Sequence, residues 1–337
     1  MVNQPSAAPD RQPLSYGRPV AAIKKLVAAL SKPGPHRVLR GDLAFAGQPG
    51  VVYTPEDGLG LPGIAFGHDW VTSAAGYAGT LEHLASWGIV AAAPDTEKGL
   101  APSVLNLPFD LGTTLDIITG VRLGPGRISV HPGKLAVAGH GFGASAAVFT
   151  AAGLGSRLRG VAALFPAGTR PSVEEPAATL KLPGLIVGAP DDATNVRFNA
   201  LELSRAWPGA VLRTVSKSEA TGLAENRRFA KFAGLGGSDW GTQRAVRPLL
   251  TGFLLYVLTG DKEYRQFADP EVRSRQIEWP ALARHVVESF RAEATRAGAS
   301  SEIAALVEEL SRTSSEFAAL WRDHGVVSSG EGVKHIS

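Results

Sequence analysis

The residues Gly139-His140-Gly141-Phe142-Gly143 have the spacing of a nucleophile turn without its nucleophile. They follow a short apolar run, Leu135–Ala138, and precede a run of small residues with helical character, Ala144–Ala152. Strand, glycine-rich turn and helix, in that order, form the elbow that lifts a serine to a sheet edge in acyl-transfer chemistry, with the pattern G-x-S-x-G. Gly139 and Gly143 occupy the flanking positions, where strand and helix approach too closely for a Cβ. The central position holds Gly141, which has no side chain with which to attack a carbonyl.

Serine chemistry also needs a base to take the hydroxyl proton and a carboxylate to orient that base. The eight histidines are His36, His68, His83, His131, His140, His285, His324 and His335, so none lies between Gly141 and the loop after residue 215. Ser145 is the nearest hydroxyl, but it falls one turn inside the helix, away from the edge where a substrate carbonyl would lie. It is expected to be a small helix residue, and His140 an inward-packed one. His68, in the loop Gly67-His68-Asp69-Trp70, is a candidate ligand-binding residue. Trp70, Tyr77 and Phe142 are candidates for an apolar pocket at the mouth. His68, Asp69 and Asp192 are a weakly supported metal set, and the expectation is no metal and no cofactor.

These residues need elements to position them. Val20–Leu30 has apolar residues at helical spacing, with Lys24 and Lys25 on the other face. Strands are expected at Val38–Phe45, Val51–Tyr53, Leu61–Phe66, Ile89–Ala93, Leu135–Ala138, Gly160–Phe165, Leu185–Gly188 and Ala210–Val215. Helices are expected at Tyr77–Trp87, Thr113–Arg122, Ala144–Ala152, Asn195–Trp207 and Arg244–Thr259, with a loop running up to Lys181. Strands alternating with helices imply an α/β protein with a mostly parallel central sheet covered on both faces.

Composition narrows the classes. The 337 residues are 44% apolar and 19% charged, enough for one large domain and an appendage. The chain has no cysteine, which removes disulfides, thiolate metal sites and cysteine nucleophiles. A net charge of +3, with Lys and Arg scattered, gives no basic surface for nucleic acid. The N-terminal residues lack the charged and apolar regions of a signal peptide, and no apolar run reaches membrane-spanning length. The expectation is a cytoplasmic protein with no membrane span.

From about Phe45 to Asp269 the sequence resembles the α/β-hydrolase fold, in particular the bacterial cutinase and polyester hydrolase group with its dienelactone-hydrolase-like relatives. Six segments carry the resemblance in order: IAFGHDW, AAAPDT, LAVAGHGFGAS, GLIVGAPDDAT, TVSKSEATGLAEN and LLTGFLLYVLTGDKEYRQF. The resemblance implies a triad in the chain order Ser, Asp, His. Its nucleophile position falls on Gly141, its acid on Asp192 with Asp191 the close alternative, and its base on Gly222. It also implies an oxyanion hole made by the backbone N–H of Phe142 and that of His68 or its neighbour. With two of three triad members replaced by glycine, the expected protein is a degenerate α/β-hydrolase that binds a small acyl or apolar ligand or a protein partner. The alternative is an active ester hydrolase with relocated residues.

The expected organisation is an N-terminal arm and short helix over 1–36, a hydrolase-like domain over 37–270 and a helical appendage over 271–337. Helices are expected at Trp279–Ala297, Ile303–Leu310 and from Ser314 to Trp321, with this tail a candidate surface for a homodimer or protein partner. The tail, from about Asp269 to Ile336, also resembles part of the ligand-binding domain of MmyB-like transcription regulators. The helix-turn-helix and sheet strands of those regulators are not expected here, so DNA binding is not inherited from it.

Overall fold

The computed structural model describes residues 19–99, 101–190, 198–216, 218–225, 237–269, 312, 327–329 and 332–334. An opening helix, α1 (Pro19–Leu30), precedes β1 (Val38–Asp42), β2 (Gly50–Pro55) and β3 (Gly58–Gly67). Helix α2 (Ala78–Ser86), β4 (Val90–Pro94), α3 (Asn106–Gly120), β5 (Ile128–His140) and α4 (Phe142–Leu154) follow. The chain continues through β6 (Leu158–Leu164), α5 (Glu174–Thr179), β7 (Gly184–Gly188), α6 (Ala200–Ala206), β8 (Ala210–Thr214) and α7 (Trp240–Thr259).

The eight strands form one sheet in the order β1-β2-β4-β3-β5-β6-β7-β8. Strand β2 is antiparallel to both of its neighbours. All other pairings, from β4 across to β8, are parallel. The α/β architecture expected from the sequence is therefore present.

Period-two alternation divides the strand residues between two cores. Ile64, Phe66, Ala136, Ala138, Ala162 and Leu164 pack with Ile23 and Val27 of α1, Leu81 and Leu84 of α2, and Leu250 and Phe253 of α7. Their neighbours Ala65, Leu135, Val137, Val161 and Ala163 pack with Leu107 and Leu111 of α3, Ala146 and Val148 of α4, Ala177 of α5 and Leu203 of α6. Central strands apolar on both faces are what a sheet covered on both sides requires.

Several elements differ from expectation for local reasons. Strand β1 ends at Asp42, whose side chain accepts a hydrogen bond from Ala44 N and opens a tight turn over Leu43–Ala46; Phe45 is left exposed. Helix α3 starts at Asn106 rather than Thr113, burying Leu107, Leu111, Leu115 and Ile118. Pro108 lies in its first turn, where a missing N–H leaves no intrahelical bond unmade. The segment expected as loop before Lys181 contains α5. The three tail helices expected from the sequence lie outside the described residues. The tail does contain two short strands that the sequence did not suggest, β9 (Val327–Ser329) and β10 (Gly332–Lys334), paired antiparallel. No helix among the described residues is long and apolar enough to cross a membrane.

Candidate functional site

The site is built where β5 turns into α4. A Cβ on Gly139 would meet Gly143 O at 2.1 Å, and one on Gly143 would meet the Gly67 backbone at 2.3 Å. The flanking glycines are thus required by the approach of helix to strand. Gly141 itself has φ 54 and ψ −116, a conformation that residues with a side chain rarely adopt. Its N–H donates to Leu164 O at 2.9 Å, and its carbonyl accepts from Ala167 N at 3.0 Å.

The space above Gly141 is not empty. A Cβ there would lie 2.0 Å from Asp69 Oδ1 and 2.4 Å from Asp69 Cγ. The Asp69 carboxylate, carried on the loop leaving β3, accepts a hydrogen bond from Phe142 N at 3.0 Å. The amide expected to hold a substrate oxyanion is therefore bonded to the protein's own carboxylate. Charge and donor suit one another, because the N-terminus of a helix favours an anion.

Asp69 is held by a buried relay. Its N–H donates to the Tyr77 hydroxyl at 3.1 Å, which in turn bonds His140 Nδ1 at 2.7 Å. His140 Nε2 lies 2.7 Å from Ala220 O, which can only accept, so Nε2 carries the ring proton and Nδ1 accepts from Tyr77. Tyr77 and His140 are fully buried. His140 thus packs inward and Tyr77 is not at the mouth. Its ring also stands 4.9 Å from that of Phe66, centroid to centroid.

His68 is also fully buried. Its Nδ1 lies 2.9 Å from Asp69 O and its Nε2 2.6 Å from Thr96 O. Both partners are backbone carbonyl oxygens, which only accept. With both nitrogens turned to backbone, His68 positions the Asp69 and Thr96 loops and offers no free nitrogen to a ligand. Asp95, next to Thr96, accepts from Ala74 N at 2.9 Å and Lys98 Nζ at 2.8 Å. Burial opposes its ionisation, but these bonds and the charges of Lys98 and His68 outweigh it and hold the carboxyl below its usual range.

Beside the elbow opens a cleft of about 390 Å³ whose lining includes Trp70, Val104, Leu105, Phe142, Thr169 and Arg170. Trp70 and Phe142, both expected at the mouth, are brought together there. Val104, Leu105 and Arg170 come from loops that no sequence pattern tied to the site. Three residues with a side chain and positive φ, Val71, Glu97 and Phe165, lie near the sheet's C-terminal edge. Such conformations each store about 1–3 kcal/mol and cluster where structure serves a site.

The remaining candidates are placed as follows. Ser145 is fully buried, and its hydroxyl donates inward to Ala167 O at 2.6 Å. Gly222 lies in a tight turn over Ala220–Leu223, where a Cβ would meet Asp239 Cβ at 2.7 Å. Its carbonyl accepts from Asp239 N at 2.9 Å and Gln243 Nε2 at 3.2 Å. Asp239 in turn caps α7 through Gly241 N and Thr242 N. The same loop is latched to α2: Glu225 accepts from Gly79 N at 2.9 Å and Thr80 N at 3.1 Å, and pairs with Arg247 at 2.8 Å. Asp191 and Asp192, the acid candidates, lie outside the described residues.

Asp69 is the residue whose part the sequence left unseen. The sequence named it only as a candidate metal ligand beside His68 and Asp192, not as the group facing a Cβ-less elbow. Arg170 carried no signal at all.

Among curated proteins, none matches this sequence. Residues 263–337 match the family model of the MmyB-like transcription regulator ligand binding domain. That match covers the tail and starts inside the turn Lys262–Phe267, which packs on α7: a Cβ on Gly252 would meet the Phe267 ring at 2.4 Å. The elbow and the cleft liners all precede the matched segment.

Proposed function

We propose that this chain is an α/β-hydrolase-like protein that binds a small acyl or apolar ligand in the cleft and carries out no serine-based acyl transfer. The bond from Phe142 N–H to Asp69 Oδ1, above a Gly141 without a side chain, carries the proposal. A nucleophile and an oxyanion donor are the two things acyl transfer needs at this point, and here the first is missing and the second is occupied. Support for the hydrolase-like ancestry comes from the strand order with an antiparallel β2, and from the backbone angles of the elbow. In this proposal residues 37–270 form the hydrolase-like unit and 271–337 an appendage.

Ester hydrolysis is the direct test. Purified full-length protein is expected to hydrolyse short p-nitrophenyl esters no faster than buffer and to take no label from a fluorophosphonate serine probe. In the same preparation, 1-octanol or methyl octanoate is expected to change tryptophan fluorescence saturably, through Trp70. Turnover or labelling that disappears in Ser145→Ala would establish the alternative, an ester hydrolase with a relocated nucleophile. The inward hydrogen bond of Ser145 argues against that outcome.

A further inference from the structure

We propose that the ligand of the cleft is an amphipathic carboxylate, a medium-chain alkanoate, with its headgroup on Arg170 and not on the elbow amide. The proposal rests on the binding role above and adds the charge and orientation of the ligand.

Two observations point the same way. Phe142 N–H, where a hydrolase would seat the oxygen of its substrate, is bonded to Asp69 Oδ1. A second carboxylate brought to that amide would meet both an occupied donor and a like charge. Arg170, by contrast, lines the cleft, is exposed, and has no carboxylate partner among the described residues. Its guanidinium presents a fork of donors suited to a carboxylate. Thr169 beside it turns its hydroxyl to Pro171 O, which leaves the headgroup contact to Arg170.

Trp70, Val104, Leu105 and Phe142 form the apolar part of the lining, where the alkyl chain would lie; Ser103, which also lines the cleft, accepts at its hydroxyl from Leu105 N and Asn106 N. A volume of about 390 Å³ holds roughly a dozen non-hydrogen atoms if each takes a water's share of about 30 Å³. That matches alkanoates of about eight to ten carbons. Because Arg170 is exposed, solvent screens the pair, and the preference for an anion over the matching alcohol is expected to be about three- to fivefold.

The test compares octanoate with 1-octanol, each titrated into the full-length protein at pH 7.5, with affinity read by tryptophan fluorescence and calorimetry. Octanoate is expected to bind about threefold or more tighter. Arg170→Gln is expected to remove that advantage, costing octanoate more affinity than octanol, while Leu105→Asp weakens both ligands. Raising salt from 0.05 to 0.5 M should weaken octanoate alone. Equal affinities in the unmodified protein, equal losses of both ligands in Arg170→Gln, or indifference of both to Leu105→Asp would each overturn the proposal. Octanol binding without a preference for octanoate overturns only this inference, whereas failure of both ligands to bind overturns the binding role itself.

Discussion

Gly141 and Gly222 fall where the resemblance expects a nucleophile and a base, and their surroundings differ in kind. Above Gly141 stands the end of one short side chain, Asp69, which is half-buried. Against Gly222 stands the Cβ of Asp239, fixed because the same residue caps α7 and donates its N–H to Gly222 O. The first position is plugged by a polar group; the second is closed by packing. A side chain could be placed at the elbow by moving one carboxylate, but not in the other loop without moving a helix end.

Gly222→His is expected to have the largest effect. It overpacks the turn and pushes on the α7 cap, and should lower stability by about 3 kcal/mol in urea unfolding. A loss below about 1 kcal/mol would mean that the loop yields, and the contrast with Gly141 would fail. Gly141→Ser should cost about 2 kcal/mol, from positive φ and loss of the Asp69 bond. Combining it with Asp69→Ala should recover part of that, a coupling of about 1 kcal/mol in a double-mutant cycle. Additive losses would show that the carboxylate does not fill the elbow. Neither variant should hydrolyse esters.

The packed side also predicts acid sensitivity. His83, on α2, is buried, with Nε2 lacking a partner. Its pKa is lowered from 6.5 to about 4, by burial first and by the charge of Arg247 second, with a bond to the Leu30 backbone opposing both. The unfolded chain therefore takes up a proton near pH 6.5 that the folded chain refuses until about pH 4. Stability should be full above 6.5 and decline as the pH falls through this window, by on the order of 1–2 kcal/mol. In His83→Leu that portion of the decline should vanish when unfolding is compared at pH 7 and pH 4.5. An unchanged decline would mean that acid acts elsewhere. The smallest effect concerns the elbow's support: Ser145→Ala should cost about 1 kcal/mol by leaving Ala167 O without its donor, with no change in ester turnover.

How much was legible beforehand varies with the range of the cause. The elbow was visible because its glycines are demanded by contacts within five residues of chain and one neighbouring strand, and small residues in that pattern have few other uses. The sheet was visible because apolar runs such as Ile89–Ala93 and Gly160–Phe165 are too short for helices and apolar on both faces. Helix α3 begins earlier than the expected Thr113, with Pro108 in its first turn, where a proline suits a helix. The burial of His68 and Tyr77 was not legible, because each is fixed by backbone or rings distant in sequence.

By itself, then, the sequence determined the alternation of strands and helices, the turn geometry at Gly139–Gly143 and the lack of a side chain at Gly141 and Gly222. Those follow from local sterics, which depend on residue type and spacing alone. Only the tertiary structure decided what fills the two gaps, Asp69 from 72 residues before the elbow and Asp239 from 17 residues beyond the loop. It also decided that Arg170 and Trp70 would line one cleft. Those outcomes depend on how separate loops converge at a sheet edge, where hydrogen-bond and charge partners are chosen by distance in space.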